Sequence, residues 1–286
     1  MVARLLWEQN VAGSNPVVPT MNVIPYVVLA LGATILGSLS GMGGGVIMKP
    51  VMDFMRDYDS ATIGILSSIT VFSMSFVSLL RGYGAQRQSG KLPILKLIVL
   101  SVGSVCGGTA GQYSYARIAD SVHNNHIVTL IQNICLFVLV CAVFMYMLNS
   151  DKIKKHAFSS VWLYALCGIA LGFISSFLGI GGGPFNVVLL MYLFSFEIKA
   201  ATFASLMTIF FAQIAKLTSV FFTTGFSVYD LTMAPVMVVC AIAGGLAGTQ
   251  LKAKLSGKSV AFLFNCVQAS IMLLCVINAF RALSAL

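Results

Sequence analysis

The chain has 286 residues, of which 58% are hydrophobic and only 9% charged, with a formal net charge of +9 and a mean hydropathy of +0.95. Soluble domains carry roughly 25% charged residues, so a soluble fold is excluded. The apolar runs are about 20 residues long and lack period-2 alternation, which also excludes a transmembrane barrel. What remains is an all-α, polytopic membrane protein, whose helices satisfy their own backbone hydrogen bonds in lipid. Lys and Arg sit at the ends of these runs, where they orient helices in the bilayer. No basic patch is present, so the positive charge does not imply nucleic acid.

The first twenty residues stand apart. "LWEQNVAGSNPVVPT" (6–20) has neither an apolar signal core nor a cleavage site, so it is not a secretory signal. Gly13-Ser14-Asn15-Pro16 is what GGT TCG AAT CCC encodes, a run resembling the T-arm of a tRNA gene. Residues 1–20 are expected to be a non-native extension, with translation starting at Met21.

Eight apolar stretches follow, at 24–39, 61–80, 94–115, 127–148, 161–178, 200–222, 231–251 and 259–280. Two shorter ones, 46–55 and 184–194, come directly after glycine clusters. The first cluster holds Gly41, Gly43, Gly44 and Gly45; the second holds Gly179, Gly181, Gly182 and Gly183, followed by Pro184. These clusters recur roughly 140 residues apart. So do Gly107-Gly108-x-Ala110-Gly111 with Gly244-Gly245-x-Ala247-Gly248, and Ala61-Thr62 with Ala201-Thr202. The chain therefore reads as two related halves, 21–148 and 161–286, joined by a polar, cytoplasmic linker at 149–160.

Charge sets the expected orientation. Arg81, Arg87, Lys91 and Lys96 follow the second long stretch, Lys152, Lys154 and Lys155 the fourth, and Lys252, Lys254 and Lys258 the seventh. These loops are expected in the cytoplasm. The connection carrying Arg117 and Asp120, and the one carrying Asp230, are expected outside. Each positive loop of one half then matches a charge-poor loop of the other, which requires inverted halves. Inversion needs an odd number of crossings per half. The first stretch and the short one after it must therefore form a re-entrant or broken hairpin, followed by three spanning helices. Ten helical residues rise only about 15 Å, half of the hydrocarbon core.

In this scheme the glycine clusters are hairpin tips near mid-membrane. A short helix beginning there points free N–H groups and its positive dipole end at the tip, and Pro184 suits a first helical position. Bare glycine backbone admits an anion to such donors, and paired broken helices mark the substrate site in transporters. By contrast, Gly103, Gly107 and Gly111, like Gly244 and Gly248, have the spacing of helix-packing faces.

"SLSGMGGGVIMKPVM" and "SSFLGIGGGPFNVVLLMYLF" resemble the paired signature of the sulfite exporter TauE/SafE family of multi-pass bacterial transporters. "ATIGILSSITVF" and "AATFASLMTIFF" resemble its second-helix segments. The resemblance covers almost all of 24–280. It implies a bacterial cytoplasmic-membrane carrier of sulfur oxyanions such as sulfite, thiosulfate or sulfonates.

Further pathway candidates are Ser67, Ser68 and Thr70, then Thr208 and Gln213, with Gln132 and Asn133 in the fourth long stretch and Asn265 and Gln268 in the eighth. Asn186 lies in the first turn of the second short helix. Lys49 either adds charge to an anion site or snorkels, and Lys216 is expected to snorkel. Asp53 and Glu197, near the ends of the short helices, are expected to be solvated, with proton coupling as the alternative. The seven cysteines form no CxxC pair and read as packing residues, so no metal or disulfide framework is expected. There is no HExxH and no G-x-S-x-G, and GMGGG lacks the GK[ST] of a nucleotide loop. No cofactor is implied, and an intramembrane enzyme is only a remote alternative. The implied partners are a small anion, the bilayer, and a coupling proton or cation, with self-association left open; a passive anion channel is the rival reading. Removing residues 1–20 should leave insertion and transport unchanged in a membrane-fraction assay, and lost insertion would refute the start at Met21.

Overall fold

The computed structural model describes residues 22–88, 93–122, 125–150, 152–154, 156–180 and 182–283. The expected extension 1–20 with its start at Met21, as well as Lys91, His123, Lys155 and Gly181, lie outside the described residues. Among the described residues there are ten helices: α1 (Val23–Ser40), α2 (Gly45–Met55), α3 (Ser60–Gln88), α4 (Ile94–Val122), α5 (Asn125–Leu148), α6 (Val161–Phe177), α7 (Pro184–Phe194), α8 (Ile198–Thr223), α9 (Ala234–Lys254) and α10 (Gly257–Leu283). The sole pairing of β type among them is an isolated bridge between Ala157 and Phe194.

Seven of these helices are long and apolar enough to cross a membrane. α6, with 17 residues, falls just short of that group, and α2 and α7 have 11 each. Eleven residues rise about 16 Å, far less than a roughly 30 Å core. The outer surface is correspondingly oily: Leu95, Val138, Leu166, Val239 and Phe262 are all exposed.

Local chemistry sets the breaks. α1 ends where Gly41 turns left-handed (φ 74) and its N–H donates back to the Gly37 carbonyl, a helix stop that glycine permits without Cβ strain. α3 begins where the Asp59 carboxylate accepts from the N–H groups of Ala61 and Thr62, at 3.0 and 3.2 Å. That cap satisfies two donors the helix leaves free. Pro184 opens α7.

Both short helices fold back beside the start of the helix before them. At the base of the first hairpin, the Tyr26 hydroxyl donates to Asp57 at 2.6 Å and the Tyr26 and Tyr58 rings meet edge to face. At the base of the second, the N–H groups of His156 and Phe158 donate to the carbonyls of Tyr192 and Leu193. These bases have different company. Asp230 lies near Tyr58. Near the second base, Lys96 donates to Ser159 at 2.6 Å and approaches the Tyr164 ring.

The halves are interleaved. α1 packs mainly on α9 of the other half, α6 packs mainly on α4, and α3 also crosses α8 while α5 crosses α10. Exchanging the two halves leaves this list of pairs unchanged. The small-residue faces make the closest contacts: a Cβ on Gly107 would collide with the Ile169 carbonyl, and one on Gly168 with the Leu100 carbonyl. Gly244 and Gly248 meet Thr34, Ser38 and the α1 backbone in the same way. Close backbone approach of this kind is how membrane helices associate when no hydrophobic drive exists between them. Gly107→Val should therefore sharply lower the yield of monodisperse protein on size exclusion. Gly84→Ala, with nothing within 4 Å of the added carbon, should leave the yield unchanged.

Candidate functional site

The two hairpin tips meet. A Cβ on Gly45 would strike the Ile180 carbonyl of the opposite tip and stand 2.7 Å from the Ser67 hydroxyl. A Cβ on Gly44 would stand 3.1 Å from the Ala33 carbonyl oxygen, Gly41 lies on Thr202, and Gly182 (φ 129) abuts the Ile209 side chain. The Ser205 hydroxyl donates to the Gly41 carbonyl at 2.6 Å. Gly43 is left-handed (φ 76), and Gly183 packs against its own neighbour Phe185. Met42 and Ile180, between the glycines, are fully buried. Most of the tip glycines are thus covered by protein on the face where a side chain would project. Their small size lets two tips and their flanking helices cross at one point.

Gly179 is different. Its missing side chain faces the Lys49 ammonium, 3.5 Å away, and the Gln132 amide at 3.9 Å. It borders a narrow cavity of about 30 Å³ whose polar wall includes Lys49, Ser60, Gln112, Tyr115, Gln132, Ser176, Lys216 and Tyr229. Lys49 donates to the Gln132 carbonyl oxygen at 2.8 Å and to the Ser60 hydroxyl at 3.1 Å. Gln132 in turn donates to the Phe177 carbonyl at 3.1 Å, at the end of α6. These bonds fix the amide so that its oxygen faces the lysine.

Lys216 lines the same cavity and is only 3% exposed. The expectation that it snorkels is wrong for a geometric reason. α8 runs on to Thr223, and Lys216 faces α3, where its ammonium donates to the Gly64 carbonyl at 3.0 Å. Gly64 offers no side chain to keep it away. Sequence reasoning gave Lys216 no role and passed over Gln112, Tyr115, Ser60 and Tyr229. The signal available was Gly64 itself, a lone glycine one turn before Ser67 and Ser68.

Among the described residues no carboxylate lines the cavity, although Asp53 and Asp59 both lie near enough to act on the Lys49 charge. The nearest acid on the Lys49 helix is Asp53, one turn on, which Asn133 bonds from α5. Its Oδ2 is enclosed without a hydrogen bond, so Asp53 is not the solvated side chain expected at a helix end.

The other candidates are not drawn into the cavity wall. The hydroxyls of Ser68, Thr70 and Thr208 donate to carbonyls one turn back in their own helices, Gly64, Leu66 and Ala204. Asn186, Gln213 and Gln268 are buried, and neither side-chain nitrogen nor oxygen of any of them makes a hydrogen bond. Asn265 likewise has an unbonded Oδ1. Gln213 lies one turn from Ile209, which touches the second tip, and one turn from Lys216. Pro184 and Asn186 are enclosed behind the second tip.

A family model described as sulfite exporter TauE/SafE matches residues 26–274, nearly the whole described bundle. The chain belongs to the TauE/SafE family. It is thus a multi-pass membrane transporter of that family. A probable membrane transporter protein of Methanocaldococcus jannaschii is 25% identical over 263 residues, covering 87% of this chain and 91% of the relative. The probable membrane transporter protein YunE of Bacillus subtilis is 23% identical over 268 residues, covering 86% and 94%. No solved structure matches.

Two glycine substitutions separate the tip contact from the cavity. Gly45→Ala should cost about 1–3 kcal/mol of stability by overpacking against the opposite tip, lowering the midpoint of a thermal-melt assay. Gly179→Ala adds a methyl at ordinary contact distance from Lys49 but requires a left-handed alanine, a penalty of about 1–2 kcal/mol. It should remain folded and lose transport.

Proposed function

We propose that the chain is a secondary transporter carrying a small sulfur-containing anion, of the sulfite, thiosulfate or sulfonate class, across the bacterial cytoplasmic membrane by alternating access. The observation that carries this reading is the pair Lys49 and Lys216, one from each half, buried around one cavity with no carboxylate on its described wall. An ammonium has three donors. Lys49 spends two on Ser60 and Gln132, and Lys216 spends one on Gly64. N–H groups of both remain for an oxyanion. Asp53 and Asp59 act on Lys49 from beyond the wall, but burying two like charges around one cavity still costs several kcal/mol per ion, and a bound anion offsets that cost. Gln112, Tyr115, Ser60 and Ser176 add neutral polar groups around it.

In this reading the halves are inverted repeats, 21–148 and 161–286. α1–α2 and α6–α7 are re-entrant hairpins, and the remaining three helices of each half span the membrane. The two hairpin bases, one beside Asp57 and Asp230 and the other beside Lys96, support that assignment. The positive-inside rule then directs the lysine-rich end to the cytoplasm. Tyr115 on the cavity wall lies near Asp59 and Tyr229, which supports an opening toward the acidic, outer end. The tip contact between Gly45 and Ile180, with Met42 and Ile180 fully buried, supports a gated carrier over an open channel.

Uptake of labelled sulfite, thiosulfate, sulfonates and carboxylates into proteoliposomes tests the proposal. Charge-assisted hydrogen bonds are worth about 1.5–3 kcal/mol, so Lys216→Met and Lys49→Met should each weaken anion affinity roughly 10- to 100-fold. Both should leave the elution profile unchanged. Unaltered saturable uptake in both variants, or saturable uptake of carboxylates alone, would overturn the assignment.

A further inference from the structure

We infer that the protein contains a second anion-facing chamber, collapsed in this conformation, whose wall is Gly41, Thr202, Ser205, Thr249 and Lys252 and which opens toward the lysine-rich end. This rests on the transporter reading above and deepens it.

The starting point is the repeat. Carried across the spacing that matches the two glycine clusters, Gly179 of the open cavity corresponds to Gly41. The spacing that aligns the Ala-Thr pairs relates Ala61, Thr62 and Ile65 to Ala201, Thr202 and Ser205. The spacing that aligns the Gly-Gly-x-Ala-Gly motifs relates Gln112 and Tyr115 to Thr249 and Lys252. Residues scattered over α1, α8 and α9 are thereby predicted to share one chamber wall.

They are in contact. The Ser205 hydroxyl donates to the Gly41 carbonyl at 2.6 Å. Gly41 lies on Thr202, whose hydroxyl accepts from the Lys252 ammonium at 3.4 Å. Thr249 is one turn before Lys252 on α9. Gly41, Thr202 and Ser205 are buried and packed on one another, whereas Gly179 and Ile65, the counterparts of Gly41 and Ser205, line the open cavity at the other end.

A second observation is independent of the repeat. The Thr249 side chain is 7% exposed and its hydroxyl makes no hydrogen bond. A buried hydroxyl without a partner costs about 1–3 kcal/mol. Opening the chamber restores water or an anion to it, so this group is poorly served in one conformation and well served in the other. Lys252, with Lys199 nearby, supplies positive charge on that side, as Lys49 and Lys216 do for the open cavity. An oxyanion therefore meets a lysine and neutral hydroxyls at each stage. Glycine at both 41 and 179, each left-handed, lets each tip act in turn as wall and as seal.

The test uses full-length protein with its seven native cysteines replaced, in right-side-out and inside-out vesicles, and a membrane-impermeant methanethiosulfonate. Gln112→Cys should react from the outer face only. Thr249→Cys should react from the cytoplasmic face only, and about 10- to 1000-fold more slowly, as expected for a minor state populated at 0.1–10%. Holding the outer cavity open by modifying Gln112→Cys should abolish the Thr249→Cys reaction, since the two chambers exclude each other. Lys252→Cys serves as the second reporter if Thr249→Cys does not assemble. Reaction of either reporter from the outer face, or no reaction from either face while Gln112→Cys reacts, overturns the inference. Labelling does not depend on which anion is carried. The predicted pattern in a protein that moves no sulfur anion would therefore sink the substrate assignment and leave the second chamber standing.

Discussion

Gly45 and Ile180 come from opposite halves of the chain and touch backbone to backbone. That contact leaves no room for a side chain at position 45, and the rest of the architecture is organised around it. Each short helix, 11 residues long, starts at its tip beside that contact. Each hairpin must then return to its own base, as the pairs Tyr26–Asp57 and His156–Tyr192 show. With both hairpins spent on the centre, the long helices form the surrounding wall. The first helix of each half is held by α4 or α9 of the other half.

The same constraint explains how lysines come to be buried in an oily molecule. Short helices ending at the tips leave a gap on their flank, between α3, α4, α5 and α8. Lys49 enters it from α2 and Lys216 from α8. Small residues at Gly64 and Gly179 let the two ammonium groups approach backbone and amide oxygens. Without Gln132, which is itself anchored on the Phe177 carbonyl, Lys49 would lose one of its two named acceptors in a medium that heavily penalises an unpaired charge.

Much of this was legible in the sequence, and the failures are instructive. Hydropathy and glycine placement gave every helix, because runs of apolar residues and their breaks are encoded locally. The packing role of Gly103, Gly107 and Gly111 also followed from spacing alone. The role of the clustered tip glycines was harder. Sequence reasoning read them as bare backbone facing an anion; it did not foresee that the faces where side chains would project at Gly45 and Gly182 are occupied by residues distant in the chain. Lys216 was misjudged for the same reason: its distance from the helix end is visible in sequence, but the side of α8 it occupies is fixed by where α3 crosses. Ser68 and Thr208 satisfy themselves within their own helices, the usual fate of membrane hydroxyls. Only tertiary geometry separates them from Ser60, which faces the cavity.

The central claim is that an oxyanion sits between Lys49 and Lys216. Selenite, a sulfite analogue whose selenium scatters anomalously, permits a direct measurement in crystals of the full chain. The account predicts one anomalous peak in the cavity beside Gly179, with oxygens at about 2.8 Å from the ammonium nitrogens of both lysines. A peak elsewhere in the bundle, with the cavity beside Gly179 empty at saturating selenite, would contradict it.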